Sequence, residues 1–270
     1  NLPKGTPEEK ADACKDVHGW IIRSGTKITE DMIASADKLQ AIGRAGVGVD
    51  NIDIPAATRR GIVVMNTPDV NTISAAEHTV AMMLTLSRNI SVGDRGMKSG
   101  EWNRHALVGT ELRNKILGIV GMGKIGREVM SRCRSFGMKI LGYDPYMNQD
   151  MFNLDEVSIV DLDTLTTRSD FITVHVPLTD GTRDLFDYDR LSSMKQTARI
   201  INVARGGIIN ETDLAKALSE GKIGGAAIDV FISGTDRDIQ STGESTEYCI
   251  NPSFGSVDTG SERRGEHGRM

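Results

Sequence analysis

The sequence predicts an α/β protein: a doubly wound parallel sheet with a second, smaller α/β unit ahead of it. Three observations carry this. Short apolar runs alternate with helical patterns along most of the chain, the signature of parallel strands joined by helical crossovers. One stretch, Ile116 to Asp144, holds strand, glycine turn, helix and strand without a break. The segment before Ile90 repeats the alternation on a smaller scale.

The uninterrupted stretch is the most informative. Ile116 to Val120 reads as a buried strand that empties into Gly121-Met122-Gly123-Lys124-Ile125-Gly126, a G-x-G-x-x-G pattern. A helix over Lys124 to Phe136 places Ile125, Val129, Met130 and Cys133 on one face and stops at Gly137; a second strand, Met138 to Tyr143, ends on Asp144. The three glycines serve different ends. Gly121 makes the turn, Gly123 lets backbone approach a diphosphate, and Gly126 lets the helix pack close to its strand. Amides at a helix start favour phosphate. Asp144, about 20 residues beyond the motif, suits a ribose 2′-hydroxyl and would repel a 2′-phosphate, which points to NAD rather than NADP.

The remaining elements follow from the same patterns. Gly19 to Ile22 is a strand with the loop Arg23 to Lys27 after it, Thr29 caps a helix through about Leu39, and Gln40 to Gly43 is a strand opening onto Arg44. Two neighbouring strand ends that each carry an arginine suit an anion, although solvated surface charge explains them equally well. Ala56 to Arg60 is a helical turn and Ile62 to Asn66 a strand stopped by Pro68. Ser74 to Glu77 reads as a capping box opening a helix to about Arg88, on which His78 is packed rather than catalytic. Ile90 to Trp102 has the composition of a crossover between domains. Beyond the glycine motif come a helix over Leu162 to Arg168, a strand Phe171 to Val174 leading into His175-Val176-Pro177-Leu178, a helix holding Leu191 and Met194, and a strand Arg199 to Val203 opening onto Ala204-Arg205-Gly206-Gly207. Asn210 caps a helix that ends before Gly221, and Ala226 to Phe231 is the last strand.

Bulk properties narrow the function classes. The 270 residues suffice for two domains with cores of their own. A net charge of −5 argues against nucleic acid or an anionic membrane as a partner. No apolar run approaches the ~20 residues of a membrane helix. Cys14, Cys133 and Cys249 fit neither a disulfide framework nor a metal site, so a reducing cytoplasm is expected. A start at Asn1 points to a fragment.

Several segments together are specific. RSGTKIT (23–29), GRAGVGVDNID (43–53), SAAEHT (74–79), the glycine run from Val108 to Val129, FGMKILGYDPY (136–146), DFITVHVPL (170–178), INVARGGIIN (201–210) and GAAIDVF (225–231) resemble the D-isomer-specific 2-hydroxyacid dehydrogenases over about residues 1–231. That resemblance implies a Rossmann-type NAD domain over 91–231 and a smaller, flavodoxin-like substrate domain over 1–90, both incomplete, in a family member that is otherwise a homo-oligomer. It implies NAD-linked oxidation of a small phosphorylated 2-hydroxy acid, 3-phospho-D-glycerate, in serine synthesis; a sibling activity such as glyoxylate or hydroxypyruvate reduction, or a non-catalytic NAD-binding role, is the alternative. Arg205 is implied to grip the substrate carboxylate, and Arg23, Ser24, Arg44 and Gly46 to line the substrate cleft. Gly121, Gly123, Lys124, Ile125, Gly126, Asp144, Val176, Pro177, Val203 and Asp229 match cofactor-contacting positions. His175 is not read as the base.

The chain departs from the family after Phe231. The family's Glu-Pro step and its PHLGAS-like histidine segment are missing from residues 232–270, whose composition is that of a disordered tail; His267 stands in the wrong surroundings to replace that histidine. Asn251 to Ser261 can be encoded so that reading one base later yields TPHLGASTQEA, and the residues from Ser233 onward so that the same shift yields PEPIETFKALEKVPNTVL. The expectation is that residues after about Phe231 are out of frame and lie outside the fold, and that the chain is a poor enzyme.

Overall fold

A computed structural model describes residues 16–23, 25–68, 70–153, 155–232 and the backbone of 248–250. The chain divides into two compact units, one through Thr72 and one from Ile73 onward.

The smaller unit is a three-stranded parallel sheet in the order β1 (Gly19–Ile22), β2 (Ala41–Arg44), β3 (Val63–Asn66). Its crossovers carry α1 (Glu30–Ala34) and α2 (Ile54–Arg59). Thr29 caps α1 by accepting from Met32 N, and Asp53 caps α2 by accepting from Ala56 N at 2.8 Å, with Pro55 in its first turn. Trp20, Ile22, Ile33, Ile42, Ala57 and Ile62 form the core. The helix expected to reach Leu39 stops at Ala34. Ser35 Oγ donates to Met32 O at 3.0 Å, and the Arg60 guanidinium donates to the carbonyls of Ile33 and Ala34, so the last turn is satisfied from outside and the helix ends there.

The larger unit holds a seven-stranded parallel sheet. Its strands are β4 (Ile116–Val120), β5 (Lys139–Tyr143), β6 (Ser158–Ile159), β7 (Phe171–Val174), β8 (Arg199–Asn202), β9 (Gly225–Ile228) and β10 (Tyr248–Ile250), in the spatial order β10-β9-β8-β7-β4-β5-β6. The chain runs outward from β4 through β5 to β6 and then returns to β7 on the other side of β4. A crevice therefore opens at the carboxyl ends of β4 and β7, where ligands of doubly wound sheets bind.

Helices cover both faces. α3 (Thr72–Ser87) and α5 (Lys124–Ser135) pack Ala76, Val80, Met83, Val129 and Cys133 against Leu117 and Ile119 of β4. α6 (Leu162–Arg168), α7 (Tyr188–Ser193) and α8 (Glu211–Ser219) pack Leu165, Leu191, Leu214 and Leu218 against Val120, Ile172, Val174 and Ile200. Asp161, Asp187 and Asn210 cap these three helices. α3 belongs to this core, so the division at Thr72 falls earlier than the boundary expected after residue 90.

Three further expectations change. α3 begins at Thr72, upstream of Ser74, so Ser74 lies inside its first turn and no capping box forms there. The stretch read as a crossover contains α4 (Ile90–Lys98), which exposes Ile90 and Met97. Tyr248–Ile250 pair in parallel with Ala226–Ile228, so the segment after Phe231 is not wholly outside the fold. An open parallel edge offers unpaired backbone groups, and a short run of β-favouring residues can satisfy them. The rest of 233–270, including His267, lies outside the described residues. No helix among the described residues is long and apolar enough to cross a membrane.

Candidate functional site

Strand register lines up one row of residues at the crevice. Val120 is level with Tyr143 and Val174, Val174 with Asn202, and Asn202 with Ile228. One residue beyond each, in spatial order, stand Asp144, Gly121, His175, Val203 and Asp229. With strands spaced about 4.8 Å apart the row spans roughly 19 Å from Asp144 to Asp229.

The glycine turn sits at the row's second position. Gly121 has φ +97°, in the left-handed region, and donates to Tyr143 O at 2.8 Å. A Cβ at Gly126 would lie 2.2 Å from Gly121 O, so only glycine lets α5 start this close to its strand. Gly123 behaves differently: a Cβ there would meet nothing within 4 Å, and as the N-cap it offers no side chain to the first-turn amides. An open cradle at a helix start whose amides face no capping group fits a dinucleotide's diphosphate. Lys124 is exposed beside it, whereas Ile125 packs into the core.

Asp144 lies at the mouth of this turn. Its Oδ2 accepts from Met122 N at 3.0 Å and its Oδ1 from Tyr146 N at 3.0 Å, so backbone fixes the carboxylate while each oxygen keeps capacity for a further donor. Arg127 holds the next peptide of the same residue: its Nε donates to Met122 O at 3.0 Å and its guanidinium lies over the Phe152 ring, 5.1 Å from the centroid. Sequence reasoning missed this brace, although an arginine four residues past the central glycine was its visible signal.

Val176 and Pro177 follow β7, where Val176 packs on the core and Pro177 O accepts from Thr182. His175 Nε2 is 3.0 Å from Thr173 Oγ1, and burial pushes its pKa down to about 4, so the ring is neutral at pH 7. Arg205 lies on the loop after β8, and its Nη1 donates to Ala204 O at 2.7 Å. Asn202 clamps that loop by donating from Nδ2 to Arg205 O at 2.8 Å and accepting at Oδ1 from Ala204 N at 3.0 Å. Gly206 presses on the chain beyond β9, where a Cβ would lie 2.2 Å from Phe231 C, and Glu211 Oε1 accepts from Ile232 N at 2.8 Å. Asn202 thus holds the Arg205 loop and Glu211 holds the chain after β9 on which Gly206 packs; neither was singled out from sequence, because an asparagine ending a strand also suits an ordinary turn.

At the far end of the row, Asp229 is 8% exposed, and burial pushes its carboxyl pKa up against the opposing pull of His78. His78 Nε2 lies 3.2 Å from Asp229 Oδ1. His78, read from sequence as packed, is instead 34% exposed and stands against a residue of the row.

The smaller unit brings two of its candidates together. Ile22 is level with Arg44, so Arg23 and Arg44 occupy adjacent strand ends. Gly46 has φ +145° and donates to Thr67 Oγ1 at 2.8 Å; a Cβ there would fall 1.4 Å from Arg44 Nη1, so the missing side chain is what lets Arg44 fold back over its own loop. Arg44 Nη1 also donates to Ala45 O at 3.1 Å. Ser24 lies outside the described residues. Among the described residues no group of three His, Cys, Asp or Glu gathers as a metal site would require.

Comparison with known proteins places this arrangement. Residues 80–238 match the family profile "D-isomer specific 2-hydroxyacid dehydrogenase, NAD binding domain". D-3-phosphoglycerate dehydrogenase of Methanocaldococcus jannaschii is 48% identical over 86% of this chain and 45% of its own length; the human enzyme of that name is 47% identical over 88% and 44%. The chain therefore spans less than half the length of these curated relatives. Among solved structures, D-lactate dehydrogenase from Aquifex aeolicus, complexed with NAD and lactic acid, superposes with a TM-score of 0.85 at 30% identity, covering 94% of this chain and 81% of that one. NAD-dependent formate dehydrogenase from Staphylococcus aureus, in complex with NAD, gives 0.85 at 32%, covering 96% and 78%.

Proposed function

The chain belongs to the D-isomer specific 2-hydroxyacid dehydrogenase family, and on that premise we propose that its larger unit binds NAD and that the whole protein oxidises 3-phospho-D-glycerate to 3-phosphohydroxypyruvate. The row of strand ends carries the NAD half of the reading, since it sets a carboxylate beside a glycine-opened helix start at the switch point of the sheet. The substrate half rests on the names of relatives 48% and 47% identical and on Arg23 and Arg44 at adjacent strand ends, a charge pattern suited to a phosphate.

When bound, NAD supplies the hydride acceptor. The chain's own residues do the rest. Asp144 accepts from the ribose hydroxyls, and the first-turn amides of α5 meet the diphosphate. Arg205, on a loop clamped by Asn202, holds the substrate carboxylate with its planar fork and thereby orients the C2 hydrogen. The hydroxyl proton needs an acceptor that residues up to Phe231 do not supply in the family's manner, because the family's Glu and His segments are missing from the tail. Losing a general base costs about 10² to 10⁴ in rate. The chain as written is thus a cofactor binder of low turnover, suited by its buried free thiol Cys133 to a reducing cytoplasm. Exposed Ile90, Met97, Trp102 and Val108 along and after α4 suit a second copy of the chain as partner.

Calorimetric titration with NADH and NADPH tests the cofactor reading, with NADH binding at least ten-fold tighter. Equal affinity, or none for either, overturns it. Turnover on 3-phosphoglycerate and on D-glycerate, measured for this chain and for one whose tail is recoded in the shifted frame, tests the substrate. Recoding is expected to restore activity on the phosphorylated acid, and a preference for glycerate would move the assignment to a sibling reductase.

A further inference from the structure

Asp229 and Asp144 close the two ends of the same row. If a dinucleotide lays its adenosine ribose at Asp144 and its diphosphate at Gly123, its nicotinamide half must run toward β7, β8 and β9, where Asp229 stands. The geometry of Asp229 is unusual for a carboxylate. It is buried, its backbone N–H donates to Asn202 O at 3.0 Å, and the side chain that acts on its carboxyl among the described residues is His78 from α3, with Nε2 3.2 Å from Oδ1. A buried carboxylate needs a hydrogen-bond or ion-pair partner to keep its place, and here the side chain that supplies one is His78.

Resting on the NAD reading, we propose that His78 is a positioning residue for the nicotinamide end of the cofactor: by engaging Asp229 Oδ1 from α3, it turns the remaining carboxylate oxygen toward the crevice as an acceptor for the carboxamide N–H. His78 does not itself touch the reacting atoms. It acts through Asp229, which burial would otherwise bias toward the neutral acid, a poorer acceptor for that donor.

ADP-ribose separates this role from a general structural one, because it shares the adenosine, diphosphate and second ribose of NADH but lacks the nicotinamide. Titrations of both ligands into the wild-type chain, His78→Leu, His78→Asn and Asp229→Asn supply the test. His78→Leu and His78→Asn are expected to weaken NADH about ten-fold, as the Asp229 carboxylate loses the contact that sets its orientation, and to leave ADP-ribose within about two-fold. His78→Gln, whose longer amide can still donate to Asp229, should recover most of the NADH affinity, and Asp229→Asn combined with His78→Leu should lose no more than either alone. Equal weakening of both ligands, which includes failure of both Leu and Asn variants to fold, would assign His78 to the scaffold and overturn the proposal; unchanged NADH affinity would overturn it as well. A wild-type chain that binds neither ligand would instead overturn the NAD reading beneath it.

Discussion

The two parallel sheets of this chain begin from similar sequences and end in different surroundings. GWII of β1 and ILGIV of β4 are both short apolar runs bounded by turns. In β1, burial alternates, and Ile21 is 88% exposed between buried Trp20 and Ile22. In β4, Leu117, Ile119 and Val120 are all fully buried, as is every residue of β7 and β9. Apolar content alone therefore does not say whether a parallel strand is covered on one face or two. The helices that the rest of the chain can bring to it decide that.

The larger sheet is where substitutions should be felt most. Gly126→Ala places a Cβ 2.2 Å from Gly121 O, and we expect it to destabilise the larger unit by about 2–3 kcal/mol and to abolish NADH binding. Gly123→Ala meets no protein atom, so its melting temperature should match the wild type while NADH affinity falls about ten-fold or more as the methyl enters the phosphate cradle. Differential scanning fluorimetry beside calorimetry separates the two; a matching loss of melting temperature in Gly123→Ala would show that its cradle is filled by protein.

The covering of the sheets can be weighed directly. Ile119→Ala removes a fully buried side chain and should cost about 2–5 kcal/mol in denaturant unfolding. Ile21→Ala, on the open face of β1, should stay within about 0.5 kcal/mol. A cost above about 2 kcal/mol at Ile21 would mean that this face is covered in solution.

A modest, pH-dependent effect lies at the amino ends of the central strands of the larger sheet. Burial pushes the Asp170 carboxyl up, but hydrogen bonds from Lys195 Nζ and Ile116 N, each at 2.8 Å, outweigh it and hold the pKa below the usual carboxylate range. A carboxyl depressed in the folded state contributes stability that is present above its unfolded pKa and lost as pH falls through the folded one. Lys195→Met should therefore cost about 0.5–1 kcal/mol at pH 7, kept small by the ammonium's exposure, and progressively less in acid. A deficit that stays constant down to pH 2 would assign the effect to packing rather than charge.

Much of the strand-end row was legible before any coordinates. The glycine turn, Asp144 and the ends of β7, β8 and β9 follow from local rules, because a left-handed turn, a helix start and a strand's exit are each decided within a few residues. The cap at Thr29 was legible for the same reason. The box at Ser74 was not, because the same residue types serve equally well inside a first turn. Where α1 stops depended on Arg60, from beyond the next strand, and no local pattern announces a guanidinium arriving from elsewhere.

Residue order by itself determined the alternation of strand and helix, the glycine turn at the helix start and the acid at the end of the neighbouring strand, since each is encoded by neighbours in the chain. Only the tertiary structure decided that Asn202 clamps the Arg205 loop, that Arg127 and Asp144 hold Met122 through its carbonyl and its amide, and that His78 meets Asp229. Such pairings depend on the order in which strands lie in the sheet and on how a helix is laid across it. They are settled when the whole core packs, which brings together side chains whose own sequence surroundings carry no mark of the encounter.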